Sequence, residues 1–220
     1  SWPHCPYHAP EGYHDMYDPE QIPDLRPVCE DGKPDFHKKI RETRNLDKIN
    51  EFQFKNINAK YLGMVSYVDA IYGELLDTLE ETGLADDTAI FMFSDHGDWA
   101  GDYGLVEKWA SGLDDTLTRI PMIVRIPGGK KGHVVKECVQ HFDIVPTILE
   151  MAGIEPEHSF FARSLVPQLN GEKGDPERAV YAEGGYDKPL DEWCFEGRED
   201  VHSSLLEKDH IYYPKVKLQQ

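Results

Sequence analysis

A run of apolar residues at helical spacing, stopped by a glycine and followed by a short unbroken apolar stretch, constrains this chain most. From about Asn56 to Glu81, residues Leu62, Val65, Val68, Tyr72, Leu75, Leu76 and Leu79 recur at spacings of three and four. That pattern lays them along one stripe of a helix. Gly83 stands where a left-handed stop is needed. Asp86 and Asp87 make a turn, and Thr88-Ala89-Ile90-Phe91-Met92-Phe93 is a run suited to a strand buried on both faces. A polar cluster, Ser94-Asp95-His96-Gly97, follows at once. Helix, turn, buried strand and polar cluster is the order in which an α/β sheet presents functional residues at a strand's carboxyl end.

The flanking segments agree with an α/β reading. The stretch from Trp2 to Pro34 carries Pro3, Pro6, Pro10, Pro19, Pro23, Pro27 and Pro34, too many for a helix or a central strand. It reads as a long ordered loop, and such loops are often functional. A charged segment from His37 to Asn50 reads as partly helical. Pro121 to Ile126 reads as a second buried strand, closed by Pro127-Gly128-Gly129, and Val134 to Val139 as a third. Asp143 can cap a helix running to about Met151, ended by Gly153. Beyond Asn170-Gly171 the composition turns polar, apart from a strand-like Ala179-Val180-Tyr181-Ala182. The expectation is one sheet in which Ala89–Phe93 and Met122–Ile126 are neighbours, with the Asn56–Glu81 helix packed on a face.

Composition excludes several functions. Acidic residues number 41 against 23 basic ones, for a net charge of −18. Such a surface repels polyanions, so nucleic acid is not an expected partner. An anionic substrate would need positive charge built into its site. No apolar run reaches the length of a membrane span, and the opening Ser1-Trp2-Pro3-His4-Cys5-Pro6 is not a signal peptide. Both ends look cut from something longer. Cys5, Cys29, Cys138 and Cys194 form no CxxC pair, which argues for unrelated, mostly packed thiols rather than a zinc or disulfide framework.

Asp95 and His96 are both good ligands for a divalent cation, and neighbours at a strand end can turn into one site. A bare Asp-His pair is more often a capping turn with a surface histidine. The wider stretch favours the first reading. Ser94-Asp95-His96-Gly97, a glycine-bearing loop, Gly104-Leu105 and then Lys108 closely resemble the pattern of type I sulfatases in the alkaline phosphatase superfamily. Arg119-Ile120-Pro121 with its strand and Pro127-Gly128, and Asp143-Ile144-Val145-Pro146-Thr147, resemble the family's continuation. Trp2-Pro3-His4-Cys5-Pro6-Tyr7, with Met16-Tyr17-Asp18-Pro19, resembles its P-H-x-P-[FY] loop. Tyr103 departs from the family, where many relatives carry His. His8 and His14 have no matching role.

The resemblance implies an α/β fold with a sheet sandwiched by helices, the alkaline phosphatase-like sulfatase fold, of which this chain is the C-terminal half. Residues 1–170 would belong to the core and 171–220 to the start of a small C-terminal subdomain. It implies Asp95 and His96 as ligands of a cation, usually calcium. It implies Lys108, thirteen positions after Asp95, as the sulfate contact. His4 is implied as leaving-group acid or cationic anchor. These four side chains are expected to converge at the carboxyl end of the Ala89–Phe93 strand. The substrate would be a sulfated small molecule or glycan, and family habit places such enzymes in the periplasm, outside the cell or in lysosomes.

The family's nucleophile is a formylglycine made in a [CS]-x-P-x-R segment. Cys194-Phe195-Glu196-Gly197-Arg198 has the arginine but Glu196 where proline is needed, and no serine fits. That segment and the rest of the cation site would precede Ser1, in an N-terminal half that would be a partner of this chain. The chain alone is therefore expected to be inactive. Two other readings stand beside this one: a phosphonate monoester or phosphodiester hydrolase of the same superfamily, and a non-catalytic binding or structural fragment.

Overall fold

The structure is a computed structural model that describes residues 2–29, 31–109 and 112–183. The described chain forms two compact units, residues 2–77 with 96–119, and residues 78–95 with 120–182. Among the described residues no helix is long and apolar enough to cross a membrane.

In the first unit the proline-rich opening is irregular, as its composition demands, apart from a single 3-10 turn at Pro19–Gln21 that follows Asp18. The Asp18 carboxylate accepts the Glu20 N–H at 2.9 Å. Helix α1 spans Asp35–Thr43 and starts directly after Pro34. Helix α2 spans Glu51–Glu81 and starts five residues before the apolar stripe suggests. The reason is a reciprocal cap: the Asn50 N–H donates to Gln53 Oε1 and the Gln53 N–H to Asn50 Oδ1, both at 2.9 Å. The Asn-x-x-Gln spelling of this start was present in the sequence.

The core of this unit joins Phe36 and Ile40 of α1, Leu46, and Phe54 of α2 to Trp99, Leu105, Trp109 and Leu117. Asp114 lies among these side chains, accepting the indole N–H of Trp99 and Nε2–H of His37, each at 3.0 Å, and pairing with Lys33. The buried side of α2 is Phe54, Ala59, Gly63 and Met64. Val65, Leu75 and Leu76 of the sequence stripe are exposed, because periodicity specifies a helical face without specifying what covers it.

In the second unit α2 ends as Gly83 requires. Gly83, at φ +70°, donates to Glu80, and Leu84 donates back to Leu79 at 3.0 Å, a closed left-handed cap. Strand β1 (Ile90–Phe93) pairs antiparallel with β2 (Met122–Arg125), from Ile90 opposite Arg125 to Phe93 opposite Met122. The two expected strands are thus neighbours in one sheet, and the fold is α/β. Helices α4 (Ile144–Met151) and α5 (Val166–Leu169) follow β2, whereas the four-residue helix α3 (Asp115–Thr118) belongs to the first unit.

Several expectations need correction. The strands are not buried on both faces: Phe93 and Ile123 are exposed. Among the described residues the sheet has two strands, and burial on both faces needs layers that a two-stranded ribbon does not supply. Residues 134–139 and 179–182 are not strands, since neither has a ladder partner among the described residues. Cys29 and Cys138 are exposed rather than packed; Cys194 lies outside the described residues, as does most of the expected small subdomain.

Asp143 does not cap α4 with its side chain. Fully buried, it reaches backward and sideways instead. It accepts the Gln140 N–H at 2.9 Å, the Arg163 N–H at 3.0 Å and Arg178 Nη2 at 2.6 Å. Thr147 Oγ1 donates to its carbonyl and accepts the Leu165 N–H. One carboxylate thereby fixes the start of α4 to the segment before α5.

Candidate functional site

The loop from Gly97 to Trp109 is folded tightly because its apolar anchors Trp99, Leu105 and Trp109 are buried. The Trp99 N–H donates to Glu107 at 3.0 Å and the Gly101 N–H to Leu105 at 2.8 Å. Ala100, Tyr103 and Glu107 take left-handed backbone angles, with φ of 45°, 59° and 62°. For side-chain-bearing residues such angles persist only where the surroundings hold them. Tyr103, which stands where many family relatives carry His, donates its N–H to Arg26 at 2.7 Å and receives Lys33 Nζ over its ring at 3.9 Å. Its contacts join this loop to the opening segment.

This fold brings Lys108 to the opening loop. Lys108 Nζ meets His4 Nε2, across 104 positions of sequence. His4 Nδ1 lies 2.6 Å from the Cys5 carbonyl, which can only accept, so Nδ1 carries the proton and Nε2 faces Lys108 as acceptor. Below them the Tyr7 hydroxyl donates to Asp98 Oδ1 at 2.7 Å and accepts the Glu107 N–H at 2.7 Å. Burial, and then the Asp98 carboxylate, push the Tyr7 hydroxyl far above its ordinary range, so it stays protonated. Burial also raises the Asp98 carboxyl. The Cys5 thiol is pushed up to about 11 by burial and by the nearby Glu107 carboxylate, so it is not a nucleophilic thiolate at neutral pH.

Asp95 and His96 follow β1 at its carboxyl end. His96 Nδ1 donates to the Gly97 carbonyl at 2.8 Å. The Gly97 N–H donates to Leu117 at 2.8 Å, and a Cβ at Gly97 would overlap the Thr116 carbonyl oxygen. Only glycine lets the chain pass there. Asp95 is exposed and lines an open cavity of about 300 Å³ with Phe93, His141, Ile144 and Val145. His141 Nε2 donates to the Ser94 carbonyl at 2.6 Å, and its ring stands edge-on to Phe93 at 5.5 Å. Among the described residues no group of three or more His, Cys, Asp or Glu side chains is arranged to hold a metal ion.

The structure therefore brings His4 and Lys108 together in the first unit. It places Asp95, with His141, on a cavity of the second. Tyr7, Asp98, Glu107 and His141 were not singled out from the sequence. Tyr7 sits inside the recognised loop motif, so its place was visible, but its hydroxyl partners lie 91 and 100 positions away. No sequence signal marked His141.

The described residues form a mixed helix-and-sheet protein, with a polar cluster directly after strand β1. The sequence model of the sulfatase family matches residues 2–154, and the chain belongs to that family. It is 32% identical over 198 residues to a choline-sulfatase of Rhizobium meliloti, covering 86% of this chain and 38% of that protein. It is 33% identical over 174 residues to an arylsulfatase of Clostridium perfringens, covering 74% of this chain and 34% of that protein. A solved phosphonate monoester hydrolase from Silicibacter pomeroyi superposes with a TM-score of 0.67 at 31% identity, over 80% of this chain and 37% of that one. The chain thus spans less than two fifths of the length of these relatives.

Proposed function

We propose that the chain supplies part of the site of a sulfuric ester hydrolase acting on a sulfated small molecule or glycan, with the nucleophile carried by an N-terminal half that pairs with it. The observation supporting this is the meeting of Lys108 with His4 between two loops far apart in sequence. As the S–O bond of a sulfate ester breaks, negative charge moves onto the leaving oxygen. The Lys108 ammonium is a fixed positive charge for the nonbridging oxygens. His4 Nε2 is the atom that would deliver a proton to the leaving alcohol or phenol, which requires the imidazolium form, with Nε2 protonated as well as Nδ1. An ester oxygen entering beside the pair is within reach of both.

Asp95 and His96 fit a divalent cation, calcium in this reading, as an oxygen and a nitrogen donor. Two donors fill a minor share of calcium's roughly six to eight positions, so further ligands come from the N-terminal half, substrate and water. A cation held by Asp95 and His96 would supply positive charge to an anionic substrate, and a formylglycine in the N-terminal half would supply the attacking oxygen.

The similarity to the phosphonate monoester hydrolase favours a second reading, since a phosphonate monoester offers the same Lys108 and His4 a comparable anion. A substrate panel on the complete enzyme separates the two. An aryl sulfate turned over with the higher kcat/KM supports the sulfatase reading; a phosphonate monoester preferred by orders of magnitude replaces it with the second.

A further inference from the structure

We propose that Tyr7 and Glu107 are positioning residues that lock the loop carrying His4 onto the loop carrying Lys108. For turnover this rests on the hydrolase reading above; for geometry it does not. Glu107 immediately precedes Lys108 and holds a left-handed backbone, φ 62°, which a residue of its bulk adopts only under constraint. Three groups of Glu107 are tied. Its N–H donates to the Tyr7 hydroxyl at 2.7 Å, its carbonyl accepts the Trp99 N–H at 3.0 Å, and its carboxylate accepts Arg44 Nη1 at 3.2 Å. Arg44 is itself held over the Trp109 ring, 4.5 Å from the centroid. A right-handed or extended Glu107 would send Lys108 in another direction.

Of these three ties, the Tyr7 hydroxyl is the one that joins the two loops. It lies three residues from His4 and also donates to Asp98 Oδ1, so it has both a donor and an acceptor use. The Tyr7 ring packs edge-on against Tyr61 of α2 at 6.3 Å, which fixes the hydroxyl independently of the lock. The opening loop is therefore fastened to Glu107 through Tyr7, three residues from His4, and His4 Nε2 faces Lys108.

The test is a double-mutant cycle on the complete enzyme with an aryl sulfate, joined to amide exchange. Tyr7→Phe keeps the ring and removes both hydrogen bonds. It is expected to lower kcat/KM by about 10- to 100-fold, since small misplacements cost that much. In a Lys108→Ala background the same change should cost less than about 2-fold, because residues acting through one another are not additive. Amides of residues 105–109 should exchange faster in Tyr7→Phe while the rest of the chain is unchanged. An equal loss in both backgrounds, or unaltered exchange, overturns the proposal. Should Tyr7→Phe not fold, Glu107→Gly, which frees the backbone before Lys108, is expected to give the same Lys108-dependent loss and the same local exchange, and full activity with unaltered exchange overturns the lock. If the wild-type enzyme turns over no ester, the hydrolase reading fails, and the exchange measurement alone decides the lock: faster supports it, unchanged refutes it.

Discussion

His37 Nε2 donates to Asp114 Oδ2 at 3.0 Å with both side chains almost wholly buried. Burial alone would raise the Asp114 carboxyl, but hydrogen bonds from His37, Lys33 and Trp99 outweigh it and hold the group well below the usual carboxylate range. Asp114→Asn should therefore destabilise the fold by about 3 kcal/mol, the scale of breaking a buried pair from one side. Because the folded-state value is depressed, the contribution is fully present above an unfolded value of about 4 and is lost as pH falls toward the folded one. Urea midpoints of wild type and variant should stay a constant distance apart from neutrality to about pH 4, then converge.

Asp143 is the corresponding knot in the second unit. Asp143→Ala leaves Arg178, which it meets at 2.6 Å with both side chains buried, without its charge partner, and strips two backbone donors. The expected loss is about 3 to 5 kcal/mol, read as a lower denaturant midpoint. Thr147→Val, which removes only the neutral bridge to Leu165, should cost about 1 kcal/mol.

Gly63 sets two effects of known size against each other. Ala in place of Gly within a helix is favourable by about 1 kcal/mol. A Cβ at Gly63, however, would overlap the Tyr13 carbonyl oxygen, and overpacking against backbone costs about 1 to 3 kcal/mol. Gly63→Ala should lower the melting temperature despite its better helix propensity. A rise would mean that the opening loop does not pack on α2 at this point.

What the sequence made legible follows from locality. The α2 helix, its Gly83 stop, both strands and the polar cluster after β1 are written in short windows of periodicity and turn chemistry. The start of α2 was equally local, in Asn50 and Gln53, and was passed over because the apolar stripe begins later. Tyr7 with Glu107, Asp114 with His37, and Asp143 with Arg178 join residues far apart, and no window contains them. The exposure of Val65, Leu75 and Ile123 was illegible for another reason. An apolar face states that it is to be covered, not where its cover lies.

The chain by itself should not hydrolyse sulfate esters and should bind calcium weakly, since Asp95 and His96 are two donors where about six to eight are needed. Calorimetric titration of the purified chain with calcium, and an aryl sulfate assay with and without the N-terminal half, check both points. Robust turnover by the chain alone would place the nucleophile among its own residues.

The dependence of rate on the leaving group tests the roles of His4 and Lys108 most directly. In the complete enzyme, kcat/KM is measured for a nitrophenyl sulfate and for a phenyl sulfate, whose oxygen leaves far less readily. If His4 protonates the leaving oxygen, His4→Ala should cost about 100-fold or more on phenyl sulfate and about 10-fold or less on the nitrophenyl ester. If Lys108 neutralises the nonbridging oxygens, Lys108→Ala should cost both substrates about the same 100- to 1,000-fold. Equal losses on the two esters for His4→Ala, or unchanged rates for Lys108→Ala, would contradict the account.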